Sequence, residues 1–130
     1  MASILFIEDE QELRGLIGDS LVEHGHEVAM AAEGDEAIRL LASGTYDVVI
    51  SDVSMPGEIS GVDVAKLIEE RYPQTRIVLV SGHARAQLPP IPAAALFLPK
   101  PYRLSQLLAL LPGDARAQSL SPHSYLEPMF

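Results

Sequence analysis

The chain has 130 residues, 48% of them apolar and 21% charged, which leads us to expect one globular domain with a core of ordinary size. A net charge of −9 works against binding a phosphate backbone, so no nucleic-acid partner is expected. The chain has no cysteine, which excludes disulfides, thiolate nucleophiles and cysteine metal sites within it.

In MASILFIEDE the apolar run is too short, and lacks the basic flank, for a signal peptide. ILFI (4–7) reads instead as a first strand. Leu13, Leu16, Ile17, Ser20 and Leu21 form a helical stripe, with Asp9 placed to cap it and His24-Gly25 to end it. HEVAM (26–30) reads as a weaker, edge strand. Ala37, Ile38 and Leu41 mark a second helix closed by Ser43-Gly44, and YDVVIS (46–51) is the next strand. Val64, Leu67, Ile68 and Tyr72 mark a third helix stopped by Pro73, followed by the strand RIVLVS (76–81). In HARAQLPPIPAA, Pro89, Pro90 and Pro92 cannot continue a helix, so the fourth helix is expected to be short or missing. ALFL (95–98) is the last strand, and Leu104, Leu107, Leu108 and Leu111 form a final helix ended by Pro112-Gly113. Residues 1–112 are thus the expected domain, and 113–130, rich in Ser, Pro and Ala, an expected disordered tail.

The four strong apolar runs are nearly continuous rather than alternating, as in strands covered on both faces of a parallel sheet. Strand alternating with helix at this spacing implies an α/β, doubly wound, five-stranded parallel sheet. Nothing approaches the length of a membrane span, and a cytoplasmic domain with no membrane partner is expected.

Chemistry gathers at the strand ends. Glu8, Asp9 and Glu10 follow the first strand, Asp52 the third, Ser81 the fourth and Lys100 the fifth. In an open parallel sheet these ends share one edge, and ligands bind there. Two carboxylates about 4 Å apart repel by roughly 4 kcal/mol at an effective dielectric near 20. Glu8, Asp9 and Asp52 together therefore call for a cation, and a hard, oxygen-liganded ion such as Mg²⁺ fits. A metal, a lysine and a hydroxyl around one carboxylate are parts that spread the charge of a transferring phosphoryl group, with Asp52 as nucleophile.

In these motifs, EDE after the first strand, DVSMP after the third, SGHA after the fourth and FLPKPY at the fifth, the sequence resembles the receiver domain of bacterial two-component response regulators. The resemblance covers about residues 3 to 112 and implies the flavodoxin-like strand order 2-1-3-4-5. It implies Asp52 as phosphoacceptor. It also implies that Glu8, Asp9, Asp52 and the backbone carbonyl of Ser54 are Mg²⁺ contacts, and that Lys100 and Ser81 bond the phosphoryl oxygens. Phe97 falls at the aromatic position that turns when Ser81 moves, Ser54 and His83 at positions that tune phosphoryl lifetime, and Pro101 at a cis proline. The implied partners are a sensor histidine kinase or a histidine phosphotransfer protein, with an unknown downstream protein target. Two departures stand out: MPGEISG is one residue longer than the usual spacing, and prolines replace the fourth helix, part of the family's output face.

Other readings stand beside this one. Asp9 read alone is a helix cap, Asp52 and Ser81-Gly82 turn formers, and Lys100 a solvated lysine. Phe97 also reads as a purely structural ring and His83 as a bystander, while His24, His26 and His123 lack metal-ligand spacing and are expected at the surface. The functional expectation is a stand-alone phosphoacceptor that signals by surface change or acts as a phosphate shuttle or sink. The competing expectations are a receiver-like scaffold that takes no phosphate and a small phosphatase with Asp52 as nucleophile. Phosphatases of the haloacid dehalogenase type need an acid two residues beyond the nucleophile, and Ser54 stands there.

Overall fold

Every strand run predicted above forms a strand, shifted at its ends by no more than two residues. A computed structural model describes residues 1–112. In chain order its elements are β1 (Ser3–Ile7), α1 (Gln11–Glu23), β2 (Glu27–Ala31), α2 (Gly34–Ser43), β3 (Val48–Asp52), α3 (Gly61–Arg71), β4 (Arg76–Ser81), a single 3-10 turn (Arg85–Gln87), β5 (Leu96–Pro99) and α4 (Leu104–Leu108). The five strands pair in parallel in the order β2-β1-β3-β4-β5. The expected tail, 113–130, lies outside the described residues, as does His123.

β1, β3 and β4 read as continuous apolar runs because each buries both faces, whereas the edge strand β2 leaves Glu27 and Met30 exposed. On one side Ile4, Phe6, Val48, Ile50, Val78 and Val80 pack with Ile17 and Leu21 of α1 and Leu104, Leu107 and Leu108 of α4. On the other, Leu5, Ile7, Val49, Ile77 and Leu79 pack with Ala37 and Leu41 of α2 and Val62, Ala65 and Ile68 of α3. A fully buried Leu or Ile side chain contributes about 1.5–3 kcal/mol, so this two-layer burial is the main force holding the sheet.

The fourth helix is missing: one three-residue 3-10 turn stands where the crossover from β4 to β5 would carry it. Pro89 and Pro90 are exposed and Pro92 buried, and none can supply the N–H that a continuing helix needs. Leu88, Ile91 and Phe97 pack half-buried against the α2–α3 side instead. α4 is shorter than its leucine stripe predicts, ending at Leu108, yet Leu111 beyond it is still buried.

Two local expectations are corrected. Asp9 does not cap α1; Glu10 holds the N-cap position without a side-chain cap bond, and the Asp9 carboxylate is committed to the strand-end cluster. His26 is not at the surface but buried, its Nδ1 accepting the Ala2 N–H at 2.9 Å. Parallel pairing of Ser3 with Glu27 brings those neighbours side by side. His24 is half-buried at the C-cap of α1, its Nδ1 2.8 Å from the Ser20 carbonyl.

Candidate functional site

The register of the sheet assembles the site. Ile7 pairs with Ser51, so Glu8 and Asp52 leave adjacent strands at the same level. Asp52 pairs with Val80 and Ser81 with Pro99, which carries the edge on to Ser81 and Lys100. Backbone bonds extend the ladder past the strands: Glu8 N–H donates to the Ala31 carbonyl at 3.0 Å, Val53 N–H to Val80 at 2.9 Å, and Lys100 N–H to Ser81 at 2.8 Å. The Lys100–Pro101 peptide bond is cis.

Carboxylate oxygens of Glu8, Asp9 and Asp52 lie within 4.8 Å of one another. Glu8 is 3% and Asp52 8% exposed, whereas Asp9 stands at the rim. Lys100 Nζ is 3.1 Å from Asp52 Oδ1 and 3.5 Å from Glu8 Oε1. Lys100, Ser54, Ser81 and His83 line, with the acids, an open cleft of about 350 Å³. The Ser81 hydroxyl accepts the His83 N–H at 3.0 Å. Phe97 lies in β5 beside Leu79, on the α3 side of the sheet.

Glu8 is held from every side. Arg14 Nη1 donates to its carbonyl at 2.8 Å and the Glu10 N–H to its Oε2 at 3.1 Å. Burial and the neighbouring Asp52 carboxyl push Glu8 above the ordinary carboxyl value, against the pull of the Glu10 N–H and Lys100. Asp9 is also raised, by loss of solvent around its carboxyl and by Glu8. Burial pulls Lys100 down, but the charges of Asp52 and Glu8 outweigh it and leave the ammonium above its usual value. One lysine thus faces three acids. The donor set is all hard oxygen, partly dry and short of positive charge, which fits a divalent cation with retained waters.

The loop behind Asp52 is set by two glycines. Gly57 takes φ +89, a left-handed conformation that suits glycine. A Cβ on Gly61 would run into the Asp52 carbonyl oxygen, so only glycine lets α3 begin this close to the end of β3. Gly61 N–H donates to the Val53 carbonyl at 2.8 Å. Ser60 and Asp63 form a reciprocal capping box on α3 that sequence reading missed, although the S-x-x-D spacing signals it. Arg14 was also missed, because nothing in an arginine on α1 marks it for the Glu8 carbonyl.

The family model for the response regulator receiver domain matches residues 4–112. The chain belongs to the response regulator receiver family. The response regulator protein FleR of Pseudomonas aeruginosa is 34% identical over 120 residues, covering 90% of this chain and 25% of FleR. The receiver is also similar to TrrA of Thermotoga maritima, a response regulator solved in complex with Mg²⁺–BeF. It shares 35% identity with TrrA at a TM-score of 0.73, over 82% of this chain and 93% of TrrA. A structure of TrrA with the histidine kinase ThkA matches at 36% identity and TM-score 0.68, over 77% of this chain and 86% of that one. This receiver spans about a quarter of the length of curated relatives such as FleR and the NtrX-like response regulator of Rickettsia felis. Among the described residues no helix is long and apolar enough to cross a membrane.

Proposed function

We propose that the receiver, residues 1–112, takes a phosphoryl group onto Asp52 from a phosphohistidine of a sensor histidine kinase or histidine phosphotransfer protein. The observation that carries this reading is the convergence of Glu8, Asp9 and Asp52 within 4.8 Å, with Lys100 Nζ 3.1 Å from Asp52, at the mouth of an open cleft. In the step, an Asp52 carboxylate oxygen attacks phosphorus, the phosphorus–nitrogen bond breaks, and the imidazole leaves and picks up a proton from solvent. A bound Mg²⁺, held by Glu8, Asp9, Asp52 and the Ser54 backbone carbonyl, would neutralise charge on the transferring oxygens. Lys100 supplies a fixed positive charge at the same oxygens, where preorganised donors have their largest effect. The Ser81 hydroxyl turns from the His83 N–H to a phosphoryl oxygen, and Phe97 follows into the space it leaves. Ser54 and His83, at the rim, set how readily water reaches the acyl phosphate.

The modified domain then signals to a protein target through its altered surface, or passes the group on as a shuttle or sink, in the cytoplasm. It catalyses its own phosphorylation and dephosphorylation and no other turnover. Mg²⁺ bound to TrrA, and the pairing of TrrA with ThkA, support this reading through similarity. Phosphotransfer profiling against purified histidine kinases, with Asp52→Ala as control, tests it. Transfer to wild type alone supports the reading; steady turnover of a phosphomonoester would favour the phosphatase, and no transfer from any kinase the scaffold.

A further inference from the structure

The β4–β5 crossover leaves a second cleft at the amino end of β4, the opposite end of the strands from the acids. Its volume is about 310 Å³; Ile68 of α3, Ile77 of β4, Pro73, Pro92 and Ala94 form its apolar part, and Glu69, Gln74 and Thr75 add polar groups to its wall. A crossover helix between β4 and β5 would cover this side of α3; the 3-10 turn does not reach it. Arg76, at the rim, donates from Nη1 to the Leu110 carbonyl at 2.8 Å. Leu110 packs on the α1 side of the sheet and Ile77 faces the other, so the described chain stops near the amino end of β4 and the segment beyond residue 112 has to turn under that end to enter the cleft.

The segment that follows, 113–130, carries Leu120, Tyr125, Leu126, Met129 and Phe130. Eighteen residues span about 27 Å as a helix and about 60 Å extended, so reach is not limiting. We propose that this segment is the occupant of the cleft: it folds back from Arg76 and lays its apolar side chains over Ile68, Ile77 and Ala94, in place of the missing helix. The face beside β5 is then built partly from the chain's own C-terminal segment, and a partner binding there meets the segment first.

The chain has no cysteine, so one spin label on Ser124→Cys reports the segment's position in the full chain. At low concentration, selective broadening of the Ile68, Ile77 and Ala94 amides, undiminished on dilution with unlabelled chain and lost on adding Leu126→Asp and Phe130→Asp, is the expected result. Broadening absent from these amides overturns the proposal. So does broadening transferred to isotope-labelled chains that carry no spin label, which makes a second copy the occupant. Broadening that survives the two aspartates overturns the apolar docking proposed.

Discussion

Lys100 reaches over the end of β4 to place its Nζ 3.1 Å from Asp52 Oδ1 on β3. Strands two places apart are separated by roughly 10 Å, a gap that the long lysine stem can cross. The same ammonium meets Glu8 at 3.5 Å, so one cation bridges carboxylates from two strands.

Lys100→Met should separate two roles. Losing one preorganised donor at a developing charge slows enzymes by about 100- to 1000-fold, and a loss of at least about 10-fold in Asp52 phosphorylation is expected here. Mg²⁺ affinity should hold or rise, because a competing positive charge leaves the acids. Labelling rates and calorimetric Mg²⁺ titrations of the variant check both; weakened Mg²⁺ binding would contradict the electrostatic account.

Acid should act through Glu8 and Asp9, which hold protons more tightly in the folded protein than ordinary carboxyls do. Stability from such groups is complete below the ordinary values of 4.5 and 3.8 and is lost as pH rises through the raised folded values. Without metal, these two groups therefore add stability in acid that is gone near neutrality, and Glu8→Gln should flatten that dependence. Added Mg²⁺, which needs the deprotonated acids, should raise Tm more near neutral pH than in mild acid. Melts of wild type and Glu8→Gln with and without Mg²⁺ measure this, and an equal Mg²⁺ shift at both pH values counts against it.

Gly61→Ala puts a methyl group against the Asp52 carbonyl, a backbone atom that cannot swing aside. Forced overpacking of this kind costs about 1–3 kcal/mol. Urea unfolding should show that loss, together with slower phosphorylation of Asp52.

Ser60→Ala removes the side chain that accepts the Asp63 N–H at the start of α3. A lost N-cap costs about 1 kcal/mol. Because the hydrogen bonds of the cap join only Ser60 and Asp63, phosphorylation should be nearly unchanged. A Ser60→Ala variant as impaired as Gly61→Ala would mean that the α3 start, rather than the glycine, positions Asp52.

The strands and the strand-end cluster were legible because both follow from burial, whereas the order β2-β1-β3-β4-β5 was implied only by the family resemblance. Runs such as RIVLVS bury Ile77 and Leu79 on one face and Val78 and Val80 on the other, and a charged group after such a run must emerge at the sheet edge. Pro89, Pro90 and Pro92 likewise announced the lost helix through their missing N–H groups. His26 was misread because its burial depends on pairing between β1 and β2, which sets Ala2 beside it; composition at 24–26 says nothing of that. Asp9 was ambiguous for a similar reason: a residue before a helix is a natural cap, and only the fold shows its carboxylate beside Glu8 and Asp52 instead of on the start of α1. The Gly61 clash depends on how closely α3 follows β3, a tertiary distance with no local signal beyond the glycine itself.

The most direct measurement is the intact mass of the protein after treatment with acetyl phosphate. The account predicts one added phosphoryl group on wild type with Mg²⁺, none when the metal is chelated, and none on Asp52→Ala. Unmodified wild type, under conditions where another receiver reacts, or a phosphoryl group that persists on Asp52→Ala, would contradict it.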